Sequence, residues 1–222
     1  MSASLSTPLD TFTAIEERRS IKTFKDEPIP SDILRRLVEL TVAAPSSYNL
    51  QDWRIVLVQS KEQKQTLAEA AFGQQQVLEA PVTFVFAARA TAWRDESLME
   101  QIYQTALERE AWPPKTVDYF REAIPQFQEN LGPKTREYAV KDAMIAATHT
   151  ALAAQAMGLS TCYMNGWQED KVKEVIGAAD DPDLAIALLL PVGFAAESRK
   201  NPGRLPLSVN VFVDRLGNGF GA

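Results

Sequence analysis

Ala44-Pro45-Ser46-Ser47-Tyr48-Asn49-Leu50-Gln51-Asp52-Trp53 decides how this chain folds, and it is best read with Arg18-Arg19-Ser20-Ile21-Lys22-Thr23-Phe24 upstream. Before the longer stretch, Ile33, Leu37, Leu40 and Ala44 recur on one helical face that begins at Pro30-Ser31-Asp32, with Ser31 as the expected N-cap. Pro45 ends that helix because it has no backbone N–H to continue it. Arg54–Gln59 follows as a β-branched run too short for a typical helix and reads as a strand. The stretch is therefore a polar turn between an amphipathic helix and a buried strand. Asn49 and Gln51 can each donate and accept hydrogen bonds, as the edge of a polar aromatic ring requires. The same residues could serve the turn itself, with Ser46 or Ser47 capping it and Asn49 supporting the loop. Upstream, Arg18, Arg19 and Lys22 set three positive side chains within five residues, beside the Ser20 hydroxyl. Guanidinium, ammonium and hydroxyl groups together suit a phosphate. Pairing with the carboxylates of the preceding helix, or with the negative end of its dipole, would also account for them.

Working outward, residues 9–19 read as a short helix and 61–79 as another, with Val82–Ala87 a second strand after Pro81. Residues 92–137 differ in character, with helices over 96–110 and 114–129 punctuated by Pro113-Pro114, Pro125 and Gly132-Pro133. Trp93, Tyr103, Trp112, Tyr119, Phe120 and Phe127 gather there, too many aromatics for a solvated arm, so the segment should cover another surface. The longest helix spans 135–157, and its run Ala143-Met144-Ile145-Ala146-Ala147-Thr148 permits close packing, with Gly158 as its C-terminal breaker. Thr161–Met164 reads as a short strand, Glu169–Ile176 as a helix, Leu184–Leu190 as a strand, and Leu207–Val213 as an extended tail. Helices and strands interleave enough to predict an α+β or mixed α/β fold in one domain over 1–222, with a helical excursion at 92–137.

Composition narrows the function. A formal net charge of -6 gives no support for nonspecific binding to nucleic acid or to an anionic membrane. One cysteine, Cys162, excludes an intramolecular disulfide, and with the single His149 it makes a structural zinc site an unsuitable reading. Cys162 sits in an apolar run and is expected to be a buried thiol. No apolar segment approaches the length of a membrane span, and Asp10, Glu16 and Glu17 argue against a transit peptide, so a cytoplasmic location is expected. Ser2–Pro8 reads as a loose leader. There is no Gly-x-Gly-x-x-Gly opening a Rossmann unit, no Walker loop and no Gly-x-Ser-x-Gly elbow. Gly217-Asn218-Gly219-Phe220-Gly221 has no helix after it and reads as tail.

Both opening segments resemble motifs of the FMN-dependent nitroreductase family, and two later segments extend the likeness. Gly158-Leu159-Ser160-Thr161-Cys162-Tyr163-Met164-Asn165-Gly166-Trp167 resembles the family loop lying against the inner flavin face. Pro191-Val192-Gly193-Phe194 with Arg199-Lys200-Asn201-Pro202-Gly203-Arg204-Leu205-Pro206-Leu207 resembles the closing segment. The likeness runs from about residue 14 to 213. It implies a mixed central sheet surrounded by helices, a homodimer with FMN at the interface, and a C-terminal extension crossing to the partner subunit. It also implies flavin phosphate contact for Arg18 and Ser20, with Arg19 close by, phosphate or ring-edge contact for Lys22, and a phosphate-binding role for Arg204. Pro45, Ser46, Ser47, Asn49 and Gln51 would approach the cofactor from the other protomer. Met164, Asn165 and Gly166 would lie beside the ring; many members carry Glu-Gly where this chain has Asn165-Gly166, so only a backbone N–H contribution carries over. Trp112, Tyr119, Phe120 and Phe127 become candidate walls of a substrate channel. The activity implied is ping-pong transfer of reducing equivalents from NAD(P)H to a nitroaromatic, quinone or similar flat acceptor, without a protein nucleophile. Specialisation for enone or other non-nitro substrates, or a noncatalytic flavin-binding role, is the alternative.

Overall fold

The computed structural model describes residues 8–221; the leader reading falls, except for Pro8, outside them. Four strands form one sheet in the order β1-β2-β4-β3, where β1 is Trp53–Val58, β2 Val82–Arg89, β3 Ser160–Thr161 and β4 Leu184–Gly193. All three pairings are antiparallel. A parallel bridge from Ser20 to Thr161 brings the amino-terminal motif alongside β3 and makes the sheet mixed.

The sheet is covered on both faces. Along β2, Phe84 and Phe86 join one core and Val85 and Ala87 the other, as the two-residue period of a strand requires. Where β2 passes β4 the register slips between Phe86 and Ala87, so Ala187 and Leu188 both meet the first core, the signature of a β-bulge. The first core is closed by α2 (Ser31–Val42) and α7 (Thr135–Ala156). Ala139, Ala143, Ala146, Ala147, Ala151 and Ala154 are all buried on α7, and their small side chains let its backbone lie close to the sheet. Inside this contact the Thr41 and Thr150 hydroxyls meet at 2.8 Å, so neither is buried without a partner. The second core is closed by α3 (Lys61–Ala70), α4 (Gln75–Glu79) and α8 (Glu169–Val175).

A short α1 (Thr11–Glu17), N-capped by the Asp10 carboxylate, leads into the amino-terminal motif. The excursion consists of α5 (Glu96–Glu108) and α6 (Pro114–Leu131). Its apolar faces enclose a third core in which Met99, Ile102, Val117 and Ile124 surround Leu50, with Tyr48 packed against it. The aromatic segment does cover another surface, and that surface is the loop between α2 and β1.

Several local expectations are corrected. Pro30 occupies the cap position of α2 and Ser31 is its first helical residue, with no side-chain cap bond. The helix expected over 61–79 breaks into α3 and α4 because Phe72 and Gly73 take positive φ. The helix expected over 114–129 does form as α6 and holds Pro125 inside it, as that reading implied; a proline there removes one helical donor, and the burial of Ile124 and Gln128 nearby holds the helix against the body. The strand expected over Thr161–Met164 shares only Thr161 with the observed β3 (Ser160–Thr161), and Met164 makes a single bridge to Leu189. The tail is not a strand over Leu207–Val213: α9 (Leu207–Asn210) is one helical turn, followed by a bridge from Phe212 to Gly219. With no neighbouring strand among the described residues, the tail makes its backbone hydrogen bonds locally. Among the described residues, no helix is long and apolar enough to cross a membrane.

Candidate functional site

The amino-terminal motif leaves α1 and runs along the sheet edge, where the Ile21 N–H donates to the Thr161 carbonyl at 3.0 Å. A second contact zone, marked by a bridge from Phe24 to Ala195, places the chain after β4 against it. These two segments enclose a cleft of about 320 Å³ lined by Arg18, Arg19, Ser20 and Lys22 on one side and Arg199, Lys200, Asn201, Pro202 and Arg204 on the other. Six cationic side chains thus converge from opposite ends of the chain. Summed over such a concavity, their field favours an anion even though the whole protein is acidic.

The two neighbouring arginines are used differently. Arg19 Nη1 donates to the Glu16 carbonyl at 2.6 Å and the Arg18 carbonyl at 2.9 Å, satisfying the carbonyl end of α1. Arg18 stacks over the Tyr163 ring at 5.4 Å, and its Nη1 is buried with no hydrogen-bond partner among the described residues. A buried guanidinium donor without an acceptor is costly, and the same Arg18 side chain lines the cleft, where its charge favours an anion. Glu197 stands at the rim: one carboxylate oxygen accepts from the Lys22 N–H, the Thr23 N–H and Arg199 Nε. Those bonds, Arg199 first, hold its carboxyl below its ordinary pKa.

The loop between α2 and β1 is a different construction. Tyr48, Asn49 and Gln51 have φ of 50°, 54° and 50°, a region that side chains other than glycine rarely adopt. Such strain persists only where the surroundings over-determine it. Here the Ser47 N–H and hydroxyl donate to the two oxygens of Asp142 on α7 at 3.0 and 3.4 Å, and the Gln51 N–H donates to the Ser46 hydroxyl at 2.9 Å. The Tyr48 ring sits edge-on to Phe120 and Phe127 of the excursion, with centroids 5.4 and 5.7 Å away. The result leaves the Asn49 side chain exposed and Gln51 half-buried, with Gln51 Nε2 3.4 Å from Asn49 Oδ1.

Beneath the loop lies a buried acidic pair. Asp52 is only 3% exposed, and its pKa is pushed up to about 7, by burial first and by the Asp142 charge second, against the opposing pull of Arg54. Asp142 is also raised by burial, an effect its two bonds from Ser47 oppose.

The structure brings Arg18, Arg19, Ser20, Lys22 and Arg204 together. Pro45, Ser46, Ser47, Asn49 and Gln51 do not line that cleft; they precede β1, the strand at the sheet edge opposite β3 and Ser20. The third segment lies beyond β3: Met164 is buried against β4, Asn165 is exposed, and the Gly166 carbonyl accepts from Gln74 Nε2 at 3.0 Å. A Cβ on Gly166 would stand 3.3 Å from Gln74 Nε2 and 3.7 Å from Phe72, so the residue sits close under the α3–α4 corner. Cys162 is buried, as its apolar setting predicts. Asp142, Glu197 and Tyr163 escape the sequence reading, because their roles depend on partners far away in the chain; Glu197 and Lys22 are separated by 175 positions.

Comparison with known proteins places this fold and its motifs. Residues 15–194 match the nitroreductase family, and the chain belongs to that family. It is 34% identical over 203 residues to a Thermus thermophilus protein named NADH dehydrogenase, covering 90% of this chain and 93% of that one. It is 31% identical over 206 residues to protein DrgA of Synechocystis, covering 90% and 93%. Among solved structures, a candidate nitroreductase from Exiguobacterium sibiricum 255-15, in complex with FMN, superposes with a TM-score of 0.84 at 27% identity, covering 93% of this chain and 98% of that chain. The closing segment with Arg199, Lys200 and Arg204 lies beyond the family-matched residues, and it is the folded structure that brings it to the cleft.

Proposed function

We propose that this protein is an FMN-dependent oxidoreductase that passes reducing equivalents from NAD(P)H to nitroaromatic, quinone or similar flat acceptors. The observation that carries the reading is the cationic cleft with its buried, unpartnered Arg18 Nη1. Arg18, Ser20, Lys22 and Arg204 would hold the FMN phosphate, and Arg19, already bonded to backbone carbonyls, would hold the end of α1 in place beside it. The Thermus relative's name supports a nicotinamide donor, and the Exiguobacterium complex supports FMN on this fold. Held there by its phosphate, FMN would supply the redox chemistry, and the residues of the cleft would bind and place it.

The chain's own residues would bind and orient. Met164, Asn165 and Gly166 would border the ring on the side of the Arg18 cleft, with a backbone N–H as donor. Pro45, Ser46, Ser47, Asn49 and Gln51 would reach the ring from a partner subunit, since within one chain they stand at the far edge of the sheet. A homodimer is supported by an open apolar groove of about 660 Å³ on α7, formed by Val140, Met144, Ile145 and Leu152 with Lys141, Thr148 and His149. The unpaired edge of β1, flanked by grooves against α2, and the exposed Leu207, Val209, Val211 and Val213 support a tail that crosses to the partner. Anaerobic titration of the FMN-supplemented protein with NADH and then NADPH tests the proposal. Stoichiometric flavin that bleaches with either donor is expected; flavin that stays oxidised with both, or no bound flavin, refutes it.

A further inference from the structure

Beyond the residues that would touch the phosphate, we propose that Glu197 is the positioning residue that assembles the cationic cleft, joining the amino-terminal motif to the closing segment through its carboxylate. The inference rests on the reading of that cleft as the FMN phosphate site.

A carboxylate is the wrong charge for the rim of an anion site. By Coulomb attraction alone, Glu197 weakens the hold of Arg199 and its neighbours on a phosphate. Its bonds explain its presence. Oε1 accepts from the Lys22 N–H at 2.6 Å, the Thr23 N–H at 3.1 Å and Arg199 Nε at 2.7 Å. Two of these donors belong to the motif that carries Arg18, Ser20 and Lys22; the third opens the segment that carries Lys200 and Arg204.

The position of the clamp matters as much as its strength. Just before it, the Ala196 N–H donates to the Thr23 carbonyl at 3.0 Å and the Lys25 N–H to the Phe194 carbonyl at 2.9 Å, a short ladder that ends there. Among the described residues, every hydrogen bond made beyond Glu197 stays within 197–221. Glu197 is thus the last point at which a hydrogen bond ties the closing segment to the body among the described residues, and the path from there to Arg204 starts from how that point is held. A surface pair between Glu197 and Arg199, two positions apart, would by itself contribute little. The two backbone donors from the distant motif make it a clamp.

The test compares FMN with riboflavin, which presents the same ring without the phosphate. Dissociation constants for both would be measured by flavin fluorescence on the full-length protein, for wild type, Glu197→Ala and Glu197→Gln, with thermal melts of the apo forms alongside. Glu197→Ala is expected to raise the FMN constant about 10-fold, the scale of losing charge-assisted contacts, and to leave riboflavin within about 2-fold. Glu197→Gln keeps an acceptor oxygen and is expected to recover at least half of that loss on a logarithmic scale. FMN binding that is unchanged or tighter in Glu197→Ala would overturn the inference, since removal of charge would then be the whole effect. Equal weakening of FMN and riboflavin, or a Gln variant as weak as Ala, would overturn it too. A wild type that binds FMN no better than riboflavin would instead remove the phosphate reading beneath it.

Discussion

Replacing Asp52 by asparagine should change how stability depends on pH. Asp52 is buried beside Asp142, and its folded pKa is about 7 against 3.8 for the free side chain. The folded state therefore favours the protonated acid, which suits a carboxyl kept from water next to a second one. This protonated form stabilises the fold fully below the unfolded pKa, and the contribution is lost as pH rises through the folded one. Between about pH 5 and about pH 8 the wild type should lose roughly 2–3 kcal/mol from this group alone, at about 1.4 kcal/mol per pH unit near pH 5 and falling off as pH passes 7. The amide of Asp52→Asn would preserve the shape without an ionisation, so the variant's stability relative to wild type should rise by that amount over the same interval. Urea unfolding of the apoprotein at fixed protein concentration measures it directly, since the apparent stability of the proposed dimer would depend on concentration. A relative stability that stays constant within about 0.5 kcal/mol from acid to alkaline pH would refute the assignment of a proton to this buried pair.

Three further substitutions test other parts of the structure. Arg18→Ala should raise the FMN dissociation constant about 10- to 100-fold, the loss of a charge-assisted contact, and should spare riboflavin; equal FMN constants for wild type and variant would remove Arg18 from the site. Ile145→Glu puts a charge on the exposed apolar face of α7 and should yield a monomer with depleted flavin by light scattering and absorbance; an intact dimer would show that this face is not the interface. Gly193→Ala would set a Cβ 2.5 Å from Pro81 Cδ and 3.1 Å from Phe24 Cδ1, and that overpacking should cost about 1–3 kcal/mol in thermal unfolding; an unchanged melting temperature would mean that the β4 end yields more easily than its packing suggests.

What could be read from the sequence was whatever repeats locally. The apolar face of α2, the small-residue run of α7, the β-branched run of β1 and the apolar runs of β2 and β4 are legible within a few turns or residues, and the structure places them as expected. Arg18, Ser20 and Lys22 stood out because their charges cluster along the chain. Arg199 and Lys200 fall within a motif, but their convergence on the same cleft does not show locally. Asp142 and Glu197 are silent in the sequence for a physical reason: a carboxylate inside a helix or a loop looks solvated until its donors arrive from 95 or 175 positions away. The strained loop is similar. In Tyr48-Asn49-Leu50-Gln51 only Asn49 favours left-handed backbone, and at Tyr48 and Gln51 it is imposed by Asp142 below and the excursion's rings above. The tail failed as a strand because a strand needs a neighbour, and the described residues of the single chain offer it none.

The placement of the amino-terminal motif and the α2–β1 loop at opposite edges of one sheet has a genetic consequence under the proposed dimer. Each site would draw its phosphate half from one polypeptide and its ring-edge half from the other. Two inactive alleles, one damaged at Arg18 and one at Gln51, would then restore function when co-expressed. Each mixed dimer would hold one site built wholly from undamaged halves and one carrying both lesions, so recovery would stop at half the sites in that species. Two alleles damaged in the same half would recover nothing.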